Sequence, residues 1–359
     1  MSSSVRLMAD GTPIHDVAII GAGPCGLAVA ARLRERSPSA LYTDAEHQRF
    51  HWINRQSARV SHRTSSVTSS RSLHKQSSNP HQAPAIDVVV YDALSSKWLT
   101  GWKRAFAALE ISHLRSPLFF HPDPRDRDGM LAFAYEHHRE NELVAIRNVV
   151  GREISKHLQK KKRNVKGTSC QHHSPLHINE RDRNDYYTCT AGLFEAYCQS
   201  IIHRYGLEGA VTQAQIHSID YGLVDDDPIP EKVFTLTSSV GVSYARTVVV
   251  AIGPGNRPTI PVPPPDLGSG AACHSSQLAA MQFPTARMVK KMQQCLQTNV
   301  LVVGGGLTSA QVTDLAIKRK VTKVWHLMRG SLKGENHNSG AHPLTRVIRR
   351  AHRADLNAQ

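Results

Sequence analysis

The feature that most limits what this chain can become is Asp16-Val17-Ala18-Ile19-Ile20 passing without a break into Gly21-Ala22-Gly23-Pro24-Cys25-Gly26. The first five residues read as a buried strand. Residues 24–36 read as a helix carrying apolar Leu27, Val29, Ala30 and Leu33. Gly-x-Gly-x-x-Gly is weak evidence alone, but between a strand and a helix it describes a Rossmann turn. Gly21 permits the tight turn, Gly23 lets a pyrophosphate approach the backbone, and Gly26 lets the helix pack close to the strand, with Pro24 opening the helix. The free N–H groups and partial positive charge of the helix start favour phosphate. A second short strand is expected over 40–43, ending at Asp44 with Glu46 two residues on. A carboxylate there accepts hydrogen bonds from a ribose diol and repels a 2′-phosphate, so this site suits FAD or NAD rather than NADP.

A second unit repeats the logic about 280 residues later. Asn299-Val-Leu-Val-Val303 reads as a strand, Gly304-Gly305-Gly306-Leu307-Thr308-Ser309 as the turn, and 307–319 as the helix. Gly304 and Gly306 take the first two glycine roles, Thr308 lies in the first helical turn, and Ser309 is small enough to replace the third glycine. The strand over 322–328 ends at Arg329, where a cation can pair with a 2′-phosphate. An acidic first site and a basic second site suggest FAD in the first and NADPH in the second, with hydride passing between them.

Between the loops, Thr247-Val-Val-Val-Ala-Ile252-Gly253-Pro254 reads as a buried strand ending in a turn. Strands are also expected over 86–91, 213–220, 232–237 and 245–252, and helices over 98–109, 130–147 and 191–205. Ile216, in the 213–220 strand, is a further candidate for cofactor contact. The pattern gives an α/β fold with two Rossmann-like dinucleotide-binding domains. The expected division is a disordered leader over 1–13, an FAD-binding domain over 14–253, a linker over 254–265, a partial NADPH domain over 266–330 and an irregular basic tail over 331–359. Polar stretches over 54–84 and 156–185 read as insertions in the first domain.

Composition narrows the classes. Lys and Arg number 44 against 29 Asp and Glu, a formal charge of +15, but the basic residues are spread out. The densest run, Lys156 with Lys160–Arg163 and Lys166, falls in a polar insertion, so no nucleic acid partner is expected. Six scattered cysteines form no Cys-x-x-Cys pair and no zinc spacing, which argues for reduced thiols, no metal and no disulfide chemistry. No apolar run approaches a membrane span and no secretory signal opens the chain, so a cytoplasmic protein is expected.

Taken together, these features resemble the FAD/NADPH flavoprotein monooxygenases, among them the ornithine and lysine N-hydroxylases and their fungal relatives, over about residues 14–330. The segments 42–52, His113-Leu-Arg-Ser-Pro117 and 178–187 carry the fungal resemblance. By that resemblance the fold is the three-layer ββα type, in which an NADPH domain is inserted into an FAD domain, and Arg115 and Ser116 border the flavin. Trp52, beside Phe50, either packs on the first sheet or touches the cofactor. Thr247–Gly253 resembles the Ala-Thr-Gly crossing of two-dinucleotide flavoproteins, with Ile252 in place of Thr, which implies that Gly253 lies close to a cofactor, and His274-Ser275 resembles a His-Ser pair of flavin monooxygenases. In such enzymes NADPH reduces FAD, molecular oxygen adds to give a C4a-hydroperoxyflavin, and one oxygen atom passes to a small nucleophilic substrate such as an amine. No protein nucleophile is needed, and none stands out. Relatives normally continue beyond the second loop, so the resemblance also implies a C-terminally short member. The competing expectations are an NADPH-dependent flavin reductase and a non-catalytic, regulatory flavoprotein.

Overall fold

The computed structural model describes residues 6–7, 11–36, 38–39, 86–146, 186–224, 231–253, 271–328 and 348–350. The expectations for 40–43, 54–84, 156–185 and 254–265 lie outside the described residues. The described residues fall into two compact units. One takes those up to Gly101, His121–Phe133 and those between Glu195 and Pro254; the other takes Trp102–Phe120, those between Ala134 and Phe194, and those from Gly255 on. Both units are α/β with parallel strands and a strand–glycine turn–helix element, as the sequence implies.

In chain order the elements begin with β1 (Arg6–Leu7), β2 (Pro13–Ile20), α1 (Pro24–Arg34), β3 (Val88–Asp92), α2 (Thr100–Ala108) and α3 (Gly129–Glu136). They continue with β4 (Leu143–Ala145), β5 (Tyr187–Cys189), α4 (Ala191–Arg204), β6 (Val211–Gln213), β7 (Ile216–Gly222), β8 (Val233–Ser238) and β9 (Gly241–Val250). The last are α5 (Ala286–Gln293), β10 (Asn299–Val303), α6 (Leu307–Lys318), β11 (Lys323–Met328) and β12 (Ile348–Arg350).

The first unit is organised on a sheet of order β6-β3-β2-β9-β8-β7, with β1 antiparallel on β2. The strands β6, β3, β2 and β9 are parallel, while β7, β8 and β9 form an antiparallel meander. The continuous apolar run of β2 follows from its central place: Ala18 and Ile19 are fully buried. Helix α1 lays Leu27, Ala30 and Ala31 on the sheet, all fully buried at helical spacing. Polar residues gather at the starts of the central strands. His15 Nδ1 lies 2.8 Å from an Asp87 carboxylate oxygen, the Asp16 carboxylate accepts from Asp87 N–H at 2.9 Å, and Arg246 pairs with Asp16 at 2.5 Å. These bonds tie β2, β3 and β9 at one end and leave the carboxyl ends, where such sheets bind ligands, to the glycine turn. A buried clasp supports the same unit: the Asp123 carboxylate accepts from Tyr197 O–H at 2.8 Å, Arg204 at 2.5 Å and Arg125 N–H at 2.9 Å.

The second unit holds the parallel set β10-β11-β12, with the buried Ser309, Thr313, Leu315 and Ala316 of α6 packed beneath it. It also holds the antiparallel pair β4–β5. The segment around Leu114–Leu118 extends that pair: Leu114 N–H donates to Cys189 O and Leu118 N–H to Tyr187 O, each at 2.9 Å.

Three expectations change. The helix expected over 130–147 ends at Glu136, where His138 takes a left-handed φ of 54° and the apolar Leu143–Ala145 pairs as strand β4. The strand expected over 213–220 is two strands: β6 joins β3 in parallel, then the chain turns at the buried Ala214 and β7 joins β8 antiparallel. Within 331–359, Ile348–Arg350 forms β12, parallel to β11, a strand too short for periodicity to reveal.

Candidate functional site

Both glycine turns sit where a parallel strand ends and a helix begins, and each is built by its own local bonds. In the first, Ile20 O accepts from Ala251 N–H and Gly21 N–H donates to Tyr91 O, both at 2.7 Å. The turn is thus held between the ends of β3 and β9. Gly21 has a φ of +112°, and a Cβ there would stand 2.5 Å from Ala251 O. A Cβ on Gly26 would stand 2.0 Å from Gly21 O, so the helix approaches its own turn as closely as only glycine allows. At Gly23 the opposite holds: nothing lies within 4 Å of an added Cβ. Gly23 is the N-cap of α1 and supplies no side-chain cap, Pro24 opens the helix, and the first turn has no acidic residue. The helix start therefore offers unpaired backbone donors and positive potential over an open floor, which fits a pyrophosphate.

The sequence reading missed a residue at this turn. Strand β3 lies beside β2 in parallel register, Ile20 opposite Tyr91, and β9 occupies the other side of β2. The carboxylate at the strand end beside the glycine turn is therefore that of Asp92. Its Oδ2 accepts from Ala22 N–H and its Oδ1 from Leu94 N–H, each at 2.9 Å. Two backbone donors fix its plane and leave lone pairs for a further donor. The visible signal was an acidic residue directly after the strand expected over 86–91. Asp44 and Glu46 lie outside the described residues.

The second turn has the same form with different fastenings. Gly304 has a φ of +143° and donates its N–H to Leu327 O at 3.0 Å. Gly306 is the uncapped N-cap of α6, with no acidic residue in the first turn and nothing within 4 Å of an added Cβ. Ser309 is buried and donates its hydroxyl to Gly306 O at 2.6 Å, which satisfies the polar atom that replaces the third glycine's hydrogen. Thr308 is exposed at the helix start. His326 Nε2 lies 2.7 Å from Gly304 O. This cradle also fits a phosphate group. Arg329 lies outside the described residues.

The structure gathers Gly21, Gly23, Pro24 and Gly26 at the first turn, with Gly253, φ +61°, two residues beyond Ala251. Ile216 opens β7 and packs against the cluster of Ala18, Ile20, Tyr91, Ala214, Leu236 and Ala245, so the described contacts give it a core role. Arg115 and Ser116 are half-buried in the strand-like segment beside β5, within the second unit. Trp52 lies outside the described residues. His274 is accounted for locally: its ring accepts from Ser276 N–H at 3.3 Å and its own N–H donates to Gln277, a capping box on the short 3-10 helix Ser275–Ala280.

Among the described residues no group of His, Cys, Asp and Glu is arranged to hold a metal. None of the described helices is long and apolar enough to cross a membrane. Among the described residues none of Cys25, Cys189, Cys198, Cys273 and Cys295 is in a disulfide. Burial pushes the Cys189 thiol up to about 12, which makes it a poor nucleophile.

No protein-family model matches the chain, and no curated protein is similar to it. Solved structures are similar over most of the chain. A flavin monooxygenase from Stenotrophomonas maltophilia is 16% identical with a TM-score of 0.42, over 88% of this chain and 57% of that one. A lysine monooxygenase from Nocardia farcinica is 12% identical with a TM-score of 0.40, over 89% and 58%. A bacillithiol disulfide reductase from Staphylococcus aureus is 12% identical with a TM-score of 0.35, over 88% and 58%. The chain spans less than three-fifths of the length of these structures.

Proposed function

We propose that the chain is an FAD- and NADPH-dependent oxidoreductase, and within that class a monooxygenase acting with molecular oxygen on a small nucleophilic substrate such as an amine. The observation that carries the reading is the pair of uncapped, glycine-floored helix starts, the first with a fixed carboxylate at the adjoining strand end. In this reading Gly23 and the first turn of α1 receive the FAD pyrophosphate, and Asp92 accepts hydrogen bonds from the adenosine ribose diol. Asp92 takes the role that the sequence suggests for Asp44, because β3 is the strand beside β2. The backbone from Ala251 to Gly253 borders the same turn. Gly304, Gly306 and the first turn of α6 receive the NADPH pyrophosphate, and Arg329 is kept as the partner of its 2′-phosphate.

When bound, FAD supplies two-electron acceptance from NADPH and reactivity toward oxygen. The chain's part is to hold two dinucleotides by backbone donors and to keep water from the reacting centre. The sequence holds no Cys-x-x-Cys pair, which weighs against a dithiol mechanism.

The test is an absorbance spectrum of the full chain reconstituted with FAD, before and after anaerobic NADPH. Retained flavin bands that bleach on NADPH addition are expected. Failure to retain FAD overturns the first site, and bound flavin that NADPH does not bleach overturns the second. Readmission of oxygen with candidate amines then separates monooxygenase from reductase: an oxygenated product supports the first, and hydrogen peroxide alone supports the second.

A further inference from the structure

The two cradles differ in what holds their carbonyl oxygens away from the anion. In the first, Ala22 O accepts from Leu99 N–H at 2.7 Å and Gly23 O from Leu27 N–H at 3.0 Å, so backbone does the fastening. In the second, Gly306 O accepts from Ala310 N–H at 3.4 Å, and side chains make the closer fastenings. Ser309 Oγ donates to Gly306 O, and the His326 ring meets Gly304 O. A carbonyl oxygen only accepts, so at 2.7 Å His326 Nε2 carries the proton and donates it.

That bond fixes more than one atom. The peptide between Gly304 and Gly305 is trans, so its C=O and N–H point in opposite directions. With Gly304 O drawn toward β11 by His326, Gly305 N–H faces away from β11. The same peptide is flanked by two glycines, with no Cβ on either side to oppose rotation of the unit. A flip would exchange the two groups and present a carbonyl oxygen where the cradle needs a donor. Gly304 N–H is held by Leu327 O and Gly306 O by Ser309. Within this turn His326 is the fastening on Gly304 O.

We propose that His326 is a positioning residue for the second anion cradle: it locks the Gly304–Gly305 peptide so that Gly305 N–H is presented to a dinucleotide pyrophosphate. This rests on the reading of the second turn as the NADPH site. His326 touches no ligand; it acts through Gly304.

The geometry separates this role from simple packing. Glutamine reaches with its amide nitrogen to about the place of Nε2, whereas asparagine reaches only to about the place of Nδ1, and leucine fills space with no donor. The full chain and its His326→Gln, His326→Asn and His326→Leu variants are titrated with NADPH by calorimetry, and each is checked by thermal unfolding. Binding by His326→Gln is expected within about twofold of the parent, and by His326→Asn and His326→Leu about tenfold weaker, the loss of one well-placed hydrogen bond. Equal binding by all four, or equal loss in the Gln and Leu variants, overturns the proposal. If His326→Leu does not fold, the Gln–Asn comparison decides alone. A parent chain that binds no NADPH removes the dinucleotide reading and this proposal together, which distinguishes that failure from a parent that binds and variants that do not differ.

Discussion

Two glycines three residues apart should respond to substitution in opposite ways, because one faces backbone and the other faces open space. A Cβ on Gly26 stands 2.0 Å from Gly21 O, and even a 3.0 Å contact requires α1 to retreat by about 1 Å. That retreat opens the packing of Leu27, Ala30 and Ala31, all fully buried. Overpacking of this kind costs about 1–3 kcal/mol, so Gly26→Ala should lower the stability of flavin-free protein by that amount. Gly23 has φ −80° and ψ −175°, an ordinary extended conformation, and is an N-cap without a capping side chain. Serine is a favoured N-cap, so Gly23→Ser should leave flavin-free stability unchanged or raise it by a few tenths of a kcal/mol. The same hydroxymethyl stands where the pyrophosphate enters and should weaken FAD binding at least about tenfold. At FAD one hundred times the parent's Kd, ligand stabilises the parent by about 2.7 kcal/mol and a tenfold weaker variant by about 1.4 kcal/mol. Urea unfolding with and without FAD reads all of these. A Gly23→Ser protein that is as stable as expected and still binds FAD like the parent would refute the cradle, and an unperturbed Gly26→Ala would refute the close-packing argument.

Other expectations follow from single contacts. Asp92→Asn keeps the shape of the side chain but removes its charge; flavin quenching titrations should show FAD binding weakened about tenfold, and an unchanged Kd would return the ribose role to another residue. Cys25 is exposed in the first turn of α1, so maleimide labelling followed by mass spectrometry should find it modified in flavin-free protein and protected by FAD, while the buried Cys189 and Cys198 stay unlabelled in both. Tyr197→Phe removes the phenol donor to the buried Asp123 carboxylate and should cost about 1–3 kcal/mol in urea unfolding, with FAD affinity unchanged. Burial lowers the His121 pKa below its ordinary 6.5, outweighing the carboxylates of Asp123, Asp126 and Asp128. The unfolded chain then binds the extra proton first, so stability should fall as pH drops below about 6.5 toward the folded-state value, and His121→Gln should flatten that part of a pH series of unfolding midpoints.

The sequence made the glycine turns legible because their chemistry is local: each turn, its strand and its helix lie within about twenty-five residues. The α6 unit and α4 fell within a residue of their expected ends for the same reason, an apolar period carried through several turns. What escaped depended on pairing. Nothing local says that Val211–Gln213 joins β3 in parallel while Ile216–Gly222 joins β8 antiparallel, because the choice lies with the partners. Leu143–Ala145 has no periodicity of its own and becomes a strand by meeting Tyr187–Cys189. Asp92 is the instructive case. The sequence places a carboxylate, Asp44, at the end of the short strand expected over 40–43, and that residue lies outside the described residues. The physical requirement is not a spacing but a position: a carboxylate at the carboxyl end of the strand beside the glycine turn. Register gives that position to Asp92, 70 residues from Ala22 in sequence and one hydrogen bond away in space. In the function proposed above, a long segment between α1 and β3 separates the glycines from that carboxylate in sequence, and sheet order rather than distance along the chain points to Asp92.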